Sequence, residues 1–263
     1  MNTTLYEFDA EKYEKASDHQ KEWGSQLAQE LHLQGDERIL DLGCGDGAMS
    51  AQLARRVPNG MVVGLDASLG MIDAARKHQT DNLQFVHKDM NAIEYIDEFD
   101  VIVSNAALHW IKNHQNLLRR VCLALRKNGV VRFNFAADGN CANLIRAVRD
   151  ALSSPAYCSS FVDFLWPWYM PTLQEYEELM QRSKFTEVRV WPENADRFFP
   201  DAEAMIRWID QPSLVPFLTH LRGHDRQSFR DCVVEQMMRE TRQEDGRHFE
   251  TFRRINVFAR KHG

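Results

Sequence analysis

The residues with chemical reach gather early in the chain, in the run Ile39-Leu40-Asp41-Leu42-Gly43-Cys44-Gly45-Asp46-Gly47. Glycines in such a turn admit positive φ and let a ligand approach the backbone. If a helix follows, its free N–H groups face the same space. The turn can then take a phosphate, a dinucleotide or the methionine part of S-adenosylmethionine. No Lys-Ser/Thr follows the glycines, which excludes a P-loop. Gly43, Gly45 and Ala48 satisfy a loose G-x-G-x-x-A dinucleotide pattern. Asp41 argues the other way. A carboxylate there repels a pyrophosphate and welcomes a methionine ammonium group. A glycine turn without a ligand is the competing reading.

Asp66 ends the apolar run Val62-Val63-Gly64-Leu65. Its carboxylate can accept from both ribose hydroxyls, which supports an adenosine ligand without choosing between the two cofactors. An N-cap role is the rival, since Ser68 and a helical pattern follow. Asp89 can accept from an adenine amino group, with Met71 and Met90 against the ring. Core packing is the rival reading of both methionines. His109 and Trp110 follow an apolar run at the sheet edge where such folds bind ligands. His109 can hydrogen-bond an acceptor or act as a base. It can equally be a packed histidine satisfied by backbone. No metal-ligand cluster and no nucleophile triad stands out, so no metal is expected.

The elements that must position these groups alternate. Residues 11–32 read as helix and Arg38–Leu42 as strand. Ala48–Val57 is helical, Met61–Leu65 a strand ending at Asp66, and Ser68–His78 a helix. Leu83–Val86 and Phe99–Asn105 are strands. His114–Leu125 is a helix stopped near Gly129, and Val130–Phe135 a strand. The strands are nearly continuous apolar runs, as in a parallel sheet covered on both faces. Beyond Phe135 the pattern changes. Residues 139–182 combine helical periodicity with an aromatic run: Phe161, Phe164, Trp166, Trp168 and Tyr169. Val188–Trp191 and Arg254–Ala259 read as strands. Residues 201–243 read as helix interrupted by Pro212, Pro216 and Gly223. The division expected is a cofactor-binding α/β core with an N-terminal helical lid over 1–135. Sheet-completing strands with helical substrate-binding insertions then fill 136–263, within the same structural domain.

The chain has 263 residues, 44% of them hydrophobic, enough for one large core. Its net charge of −6, from 38 acids against 32 bases, disfavours a nucleic-acid partner. Five cysteines without a C-x-x-C pair fit a reducing, cytoplasmic setting better than a disulfide framework. The N-terminal residues 1–10 are polar and acidic, with no apolar signal core. No window approaches the ~18 apolar residues of a membrane span.

Leu40-Asp41-Leu42-Gly43-Cys44-Gly45-Asp46-Gly47, Gly64-Leu65-Asp66-Ala67-Ser68 with Met71, Asp89, and Phe99-Asp100 leading to Ser104-Asn105-Ala106-Ala107-Leu108-His109-Trp110 occur in that order. Together they closely resemble the class I S-adenosylmethionine-dependent methyltransferases over roughly residues 10–135. The Ser104–Trp110 segment is similar to that of trans-aconitate methyltransferases and, less fully, of juvenile hormone acid methyltransferases. The tail segments Ile206-Arg207-Trp208-Ile209, Leu214-Val215-Pro216-Phe217 and Phe252-Arg253-Arg254 are similar to those of the trans-aconitate enzymes. Malonyl carrier-protein methyltransferases share the core motifs.

The resemblance implies a doubly wound α/β fold, with a mostly parallel seven-stranded Rossmann-like sheet and helical insertions in the C-terminal half. It implies S-adenosylmethionine as cofactor and O-methylation of a small acid, free or carried on a protein. Gly43 and Gly45 would line the methionine, Asp66 and Ala67 the ribose, Asp89 and Met90 the adenine. Asn105 would sit beside the methionine end. Tyr13, Gln20 and Trp23 fall in the region that closes over the cofactor, and Trp110 would wall its pocket. An anionic acceptor needs a counter-charge, for which Arg222, Arg253 and Arg254 are candidates. Trp166, Trp168 and Tyr169 can form an acceptor pocket or an ordinary core. The resemblance is weakest over 139–182. A hydroxyl or amine acceptor, with His109 as base, remains open. So do a non-catalytic partner subunit of the same fold and, against Asp41, a nicotinamide oxidoreductase.

Overall fold

The computed structural model describes residues 6–263; residues 1–5 of the polar N-terminus and the side chain of Pro212 lie outside the described residues. The elements run α1 (Ala10–Ala16), α2 (Asp18–Glu30), β1 (Arg38–Leu42), α3 (Ala48–Arg56), β2 (Met61–Asp66), α4 (Leu69–Ala75), β3 (Leu83–His87), β4 (Phe99–Asn105), α5 (His114–Ala124) and β5 (Leu125–Ala136). The second half follows with α6 (Ala142–Ser153), α7 (Leu173–Gln181), β6 (Phe185–Asn194), β7 (Arg197–Phe199), α8 (Ala202–Trp208), α9 (Val215–His220), α10 (His224–Thr241), β8 (His248–Glu250) and β9 (Arg253–Lys261).

Seven strands form one sheet in the order β3-β2-β1-β4-β5-β9-β6. β9 runs antiparallel to both neighbours and the other pairings are parallel. The expected doubly wound sheet is therefore present. Its apolar runs follow from burial on both faces. Ile39 packs with Leu27, Leu53 and Ile72 beneath α2, α3 and α4. Its neighbour Leu40 packs with Leu117, Val121 and Met180 beneath α5 and α7. A third apolar cluster joins α6, α8, α9 and α10 to Trp23 and Phe252. From β1 the chain winds outward to β2 and β3, then returns to β4. Ligands bind at that reversal, outside the carboxyl ends of the strands.

Several boundaries differ from the sequence reading. The helix expected over 11–32 breaks at Ser17 into two. β5 starts at Leu125 rather than Val130, because Leu125 pairs with Phe99 and the chain loops out before Val130 meets Val101. Asn128, at φ 63, turns that excursion. The aromatic run at 154–172 holds no α-helix, only one short 3₁₀ turn at Cys158–Phe161. The ribbon of β7 and β8 had no sequence signal, since three-residue strands carry too little alternation to read.

Candidate active site

One cavity of about 580 Å³ opens at the carboxyl ends of β1, β2 and β4 and extends beneath the helical second half. Gly43, Gly45, Asp66, Ala67, Met71, Asp89, Met90 and Asn105 line one end of it. Gln20, Trp23, His109, Trp110, Trp166 and Arg254 line it as well.

The glycine turn is tied down by β2: the N–H groups of Gly43 and Cys44 both donate to the Leu65 carbonyl, at 2.8 and 2.9 Å. Gly43 has φ +74, and a Cβ there would overlap the Ala107 methyl. Gly45 has φ +55 with open space where a side chain would point, so its backbone is free for a ligand. Asp66 spans the turn. One oxygen accepts from the Gly45 N–H at 3.0 Å and the other from the Ser68 N–H at 2.9 Å. Burial nevertheless raises its carboxyl above the usual range. Asp89 accepts from the Asn91 backbone and amide at 2.8 and 3.0 Å.

Asp41 is not on the wall. It lies fully buried behind the turn, because its side chain points toward α3, where one oxygen accepts from the Ser50 hydroxyl at 2.6 Å. Its other oxygen is buried without a partner. Burial pushes this carboxyl up to about 7. Two more buried acceptors lack partners at this end: Asn105 Oδ1 and Gln20 Oε1. The Asn105 amide is itself fixed by donating to the Gln20 carbonyl at 2.9 Å. Orphaned acceptors beside a bare glycine turn suit a ligand rich in N–H donors and positively charged, such as an ammonium group.

His109 and Trp110 ride on a 3₁₀ turn after β4. Beneath them, His114 holds that turn. Its Nε2 donates to the Leu108 carbonyl at 2.9 Å, which leaves Nδ1 to accept from the Tyr176 hydroxyl at 3.1 Å. Burial, and after it the charge of Arg254, pushes the His109 ring down to about 3. It therefore stays neutral at ordinary pH. Its Nδ1 is buried without a partner.

Of the three candidate arginines, the structure brings one to the cavity. Arg222 is exposed, in the turn between α9 and α10. Arg253 points outward and pairs with Asp196. Arg254, on the opposite face of the same strand, is 3% exposed and lines the cavity. Its guanidinium lies 3.7 Å from the Trp23 ring centroid. Nε and Nη2 donate to Asn134, whereas Nη1 donates to no described residue. Glu193 attracts it from a distance, with one of its carboxylate oxygens held by the amides of Asn134 and Asn256. Burial lowers this guanidinium to about 9, an unusual position for an arginine.

Tyr169 is likewise off the wall. It packs on His114 with ring centroids 4.8 Å apart, and its N–H donates to the His109 carbonyl at 2.8 Å. It supports the site from behind, between Trp168 and Met170, which both line the cavity. Trp166 and Trp168 do line the cavity. Sequence reasoning missed Tyr6 and Phe8, which pack on Trp110 from the N-terminal segment. Glu7 pins that segment by accepting from the Ser68 hydroxyl at 2.6 Å and the Gly70 N–H at 2.7 Å. A contact spanning some sixty residues leaves no local signal.

Residues 33–185 match the methyltransferase domain family. The chain belongs to this family. A trans-aconitate 2-methyltransferase of Deinococcus radiodurans is 33% identical over 199 residues, covering 74% of this chain and 76% of that relative. One from Mycolicibacterium gilvum is 31% identical, covering 93% and 95%. The YcgJ protein of Bacillus subtilis has a similar fold, with TM-score 0.63, 15% identity and coverage of 93% and 99%. The methyltransferase described here uses S-adenosylmethionine. The dinucleotide reading of its glycine turn falls away. No helix of the described residues is long and apolar enough to cross a membrane, and none of their side chains form a metal-binding group.

Proposed function

We propose that this methyltransferase transfers a methyl group to the carboxylate of a small acid. The observation that carries the reading is Arg254, a buried guanidinium on the cavity wall with no acid paired to it among the described residues. A buried charge in that state is costly, and a carboxylate entering the cavity offsets the cost. The relatives named for trans-aconitate favour the same chemistry.

At the donor end, Gly43 and Gly45 admit the methionine part, and Gln20 and Asn105 accept from its ammonium group. Asp41 acts on that cation through the turn rather than by touching it. Asp66, with the Ala67 backbone, takes the ribose hydroxyls. Asp89 and the Met90 backbone address adenine, with Met71 against the ring. Trp110 closes the pocket wall, and Trp23 carries Arg254 on its face. Bound there, S-adenosylmethionine supplies a sulfonium methyl: the acceptor oxygen forms the new O–C bond, the S–C bond breaks with its pair left on sulfur, and no proton moves.

A carboxylate arrives ionised near neutral pH and needs no base. That suits a His109 ring held down to about 3, which hydrogen-bonds well and takes protons poorly. Arg254 and His109 orient the acid, and the enclosing aromatic groups exclude water. The free cysteines, three of them buried, agree with a reducing cytoplasmic setting. The test is to incubate the purified protein with methyl-labelled S-adenosylmethionine and a panel of carboxylic acids. Base-labile methyl esters are expected. Products that are all base-stable would overturn the carboxylate reading.

A further inference from the structure

We propose that Glu193 is a positioning residue for the acceptor: through the amides of Asn134 and Asn256 it holds the Arg254 guanidinium so that Nη1 faces the entering carboxylate. The proposal rests on the carboxylate reading above and deepens it.

Three neighbouring strands put these groups on one face of the sheet. Asn134 of β5 stands opposite Asn256 of β9, and Arg254 of β9 stands opposite Glu193 of β6. Residues two apart on a strand share a face, so Arg254 and Asn256 point the same way. Asn134 and Asn256 are buried, whereas Glu193, on the edge strand of the sheet, is partly exposed. Arg254 lines the active cavity. Glu193, Asn134 and Asn256 line a separate cavity of about 200 Å³, with Trp23 as the wall common to the two. Glu193 therefore acts on the acceptor through Arg254, without touching it.

The direction of each amide follows from its partners. An amide offers an acceptor on one side and donors on the other, so a half-turn exchanges them. Oε2 of Glu193 accepts from the Nδ2 groups of Asn134 and Asn256, each at 2.8 Å. Asn256 Oδ1 is then left to accept from Asn134 Nδ2, also at 2.8 Å. With that Nδ2 committed twice, Asn134 Oδ1 turns to Arg254 and accepts from Nε. The Asn134 carbonyl accepts from Nη2 at 3.3 Å. One edge of the guanidinium is thus fixed. Its plane is fixed by the Trp23 ring, which His19 and Phe252 brace with centroids 5.0 and 5.6 Å away. A planar fork held by its face and one edge keeps its remaining donor in a single direction. A carboxylate that meets a donor already aimed pays less ordering entropy than one that must turn it. Without Glu193 the amides lose the acceptor that sets them, and a reversed Asn134 would present N–H to N–H at Arg254.

The full-length protein is assayed with methyl-labelled S-adenosylmethionine and the best acid of the carboxylate panel. Glu193→Met keeps the volume and removes the acceptor. It should lower kcat/KM for the acid about tenfold, chiefly through its KM, with S-adenosylhomocysteine affinity unchanged. Glu193→Gln retains an acceptor oxygen and should recover most of that loss. In an Arg254→Met background there is nothing left to position, so adding Glu193→Met should cost less than about twofold. A merely structural defect would persist there. Glu193→Ala repeats the series if the methionine variant does not fold. An unchanged kcat/KM in Glu193→Met, a glutamine variant as impaired as the methionine one, or the full loss retained in the Arg254→Met background overturns the positioning role and leaves the carboxylate reading intact. Wild-type protein that methylates alcohols or amines and no acid would overturn both.

Discussion

One end of the cavity, the proposed donor end, is made of backbone and carboxylates, and the other, the proposed acceptor end, of aromatic rings and a guanidinium. Most of the donor groups come from the tips of β1, β2, β3 and β4, strands that neighbour one another in the sheet, with Gln20 reaching in from α2. Their geometry follows from strand register and from glycine dihedrals. The acceptor groups come from β9, α2, α8 and the irregular segment before α7. Their geometry follows from tertiary packing alone. A site assembled this way can keep its donor end while the other end changes its substrate.

That contrast predicts the largest effect at the turn. Gly43→Val should lower S-adenosylhomocysteine affinity by about two orders of magnitude or more. A branched side chain is strained at φ +74 and collides with Ala107. Calorimetry measures the loss, and near-normal affinity would contradict the account of the turn. Arg254→Met should act at the other end. Loss of the acid's counter-charge should cost about 10²–10³-fold in kcat/KM for the acceptor. S-adenosylhomocysteine affinity should move little. Replacing an unpaired buried charge by an apolar group should also raise stability, by about 1–3 kcal/mol. A loss that falls on cofactor affinity instead would mean that Arg254 serves the methionine carboxylate.

The same contrast explains what was legible in the sequence. β4 was readable because Phe99 and the apolar run Val101-Ile102-Val103 sit together between turn signals. The turn at Gly43 and the strand-end position of Asp66 were readable because backbone conformation and strand ends are local. Choosing between Arg253 and Arg254 was not. Alternation says that the two face opposite sides of β9, but burial continues on both sides: Ile255 and Val257 on one, Asn256 on the other. Which side holds the cavity depends on Trp23 and Asn134, more than a hundred residues away. The run from Phe161 to Tyr169 was opaque for a different reason. It has no repeating period, so nothing local separates Trp166 on the wall from Tyr169 behind it.

His109 sits where the two ends meet. With its ring held down to about 3, it does not titrate between pH 5 and pH 8. The kcat/KM profile over that range should carry no limb near the ordinary histidine value. Removing its proposed hydrogen bond to the acid in His109→Phe should cost about tenfold to a hundredfold, the worth of one bond to a charged group. A wild-type limb near pH 6.5 that disappears in the variant would favour a base, and with it a hydroxyl or amine acceptor.

The smallest expected effect is a pH dependence, and its sign tests whether Asp41 answers the cofactor's charge. Its carboxyl is raised from 3.8 to about 7 in the folded protein. The folded state therefore binds the proton more tightly than the unfolded state. Stability from this group is fully present below pH 4 and is lost as pH rises to about 7. Thermal unfolding of the ligand-free protein should show that falling arm, and Asp41→Asn should lack it. An ammonium group at the turn favours the ionised carboxylate and pulls the pKa back down. Binding then releases a proton, so S-adenosylhomocysteine should bind more tightly at pH 8 than at pH 6, by up to about tenfold. In Asp41→Asn that rise should vanish while the rest of the affinity persists. An unchanged slope in the variant would separate Asp41 from the cofactor altogether and leave Gln20 and Asn105 to hold the cation.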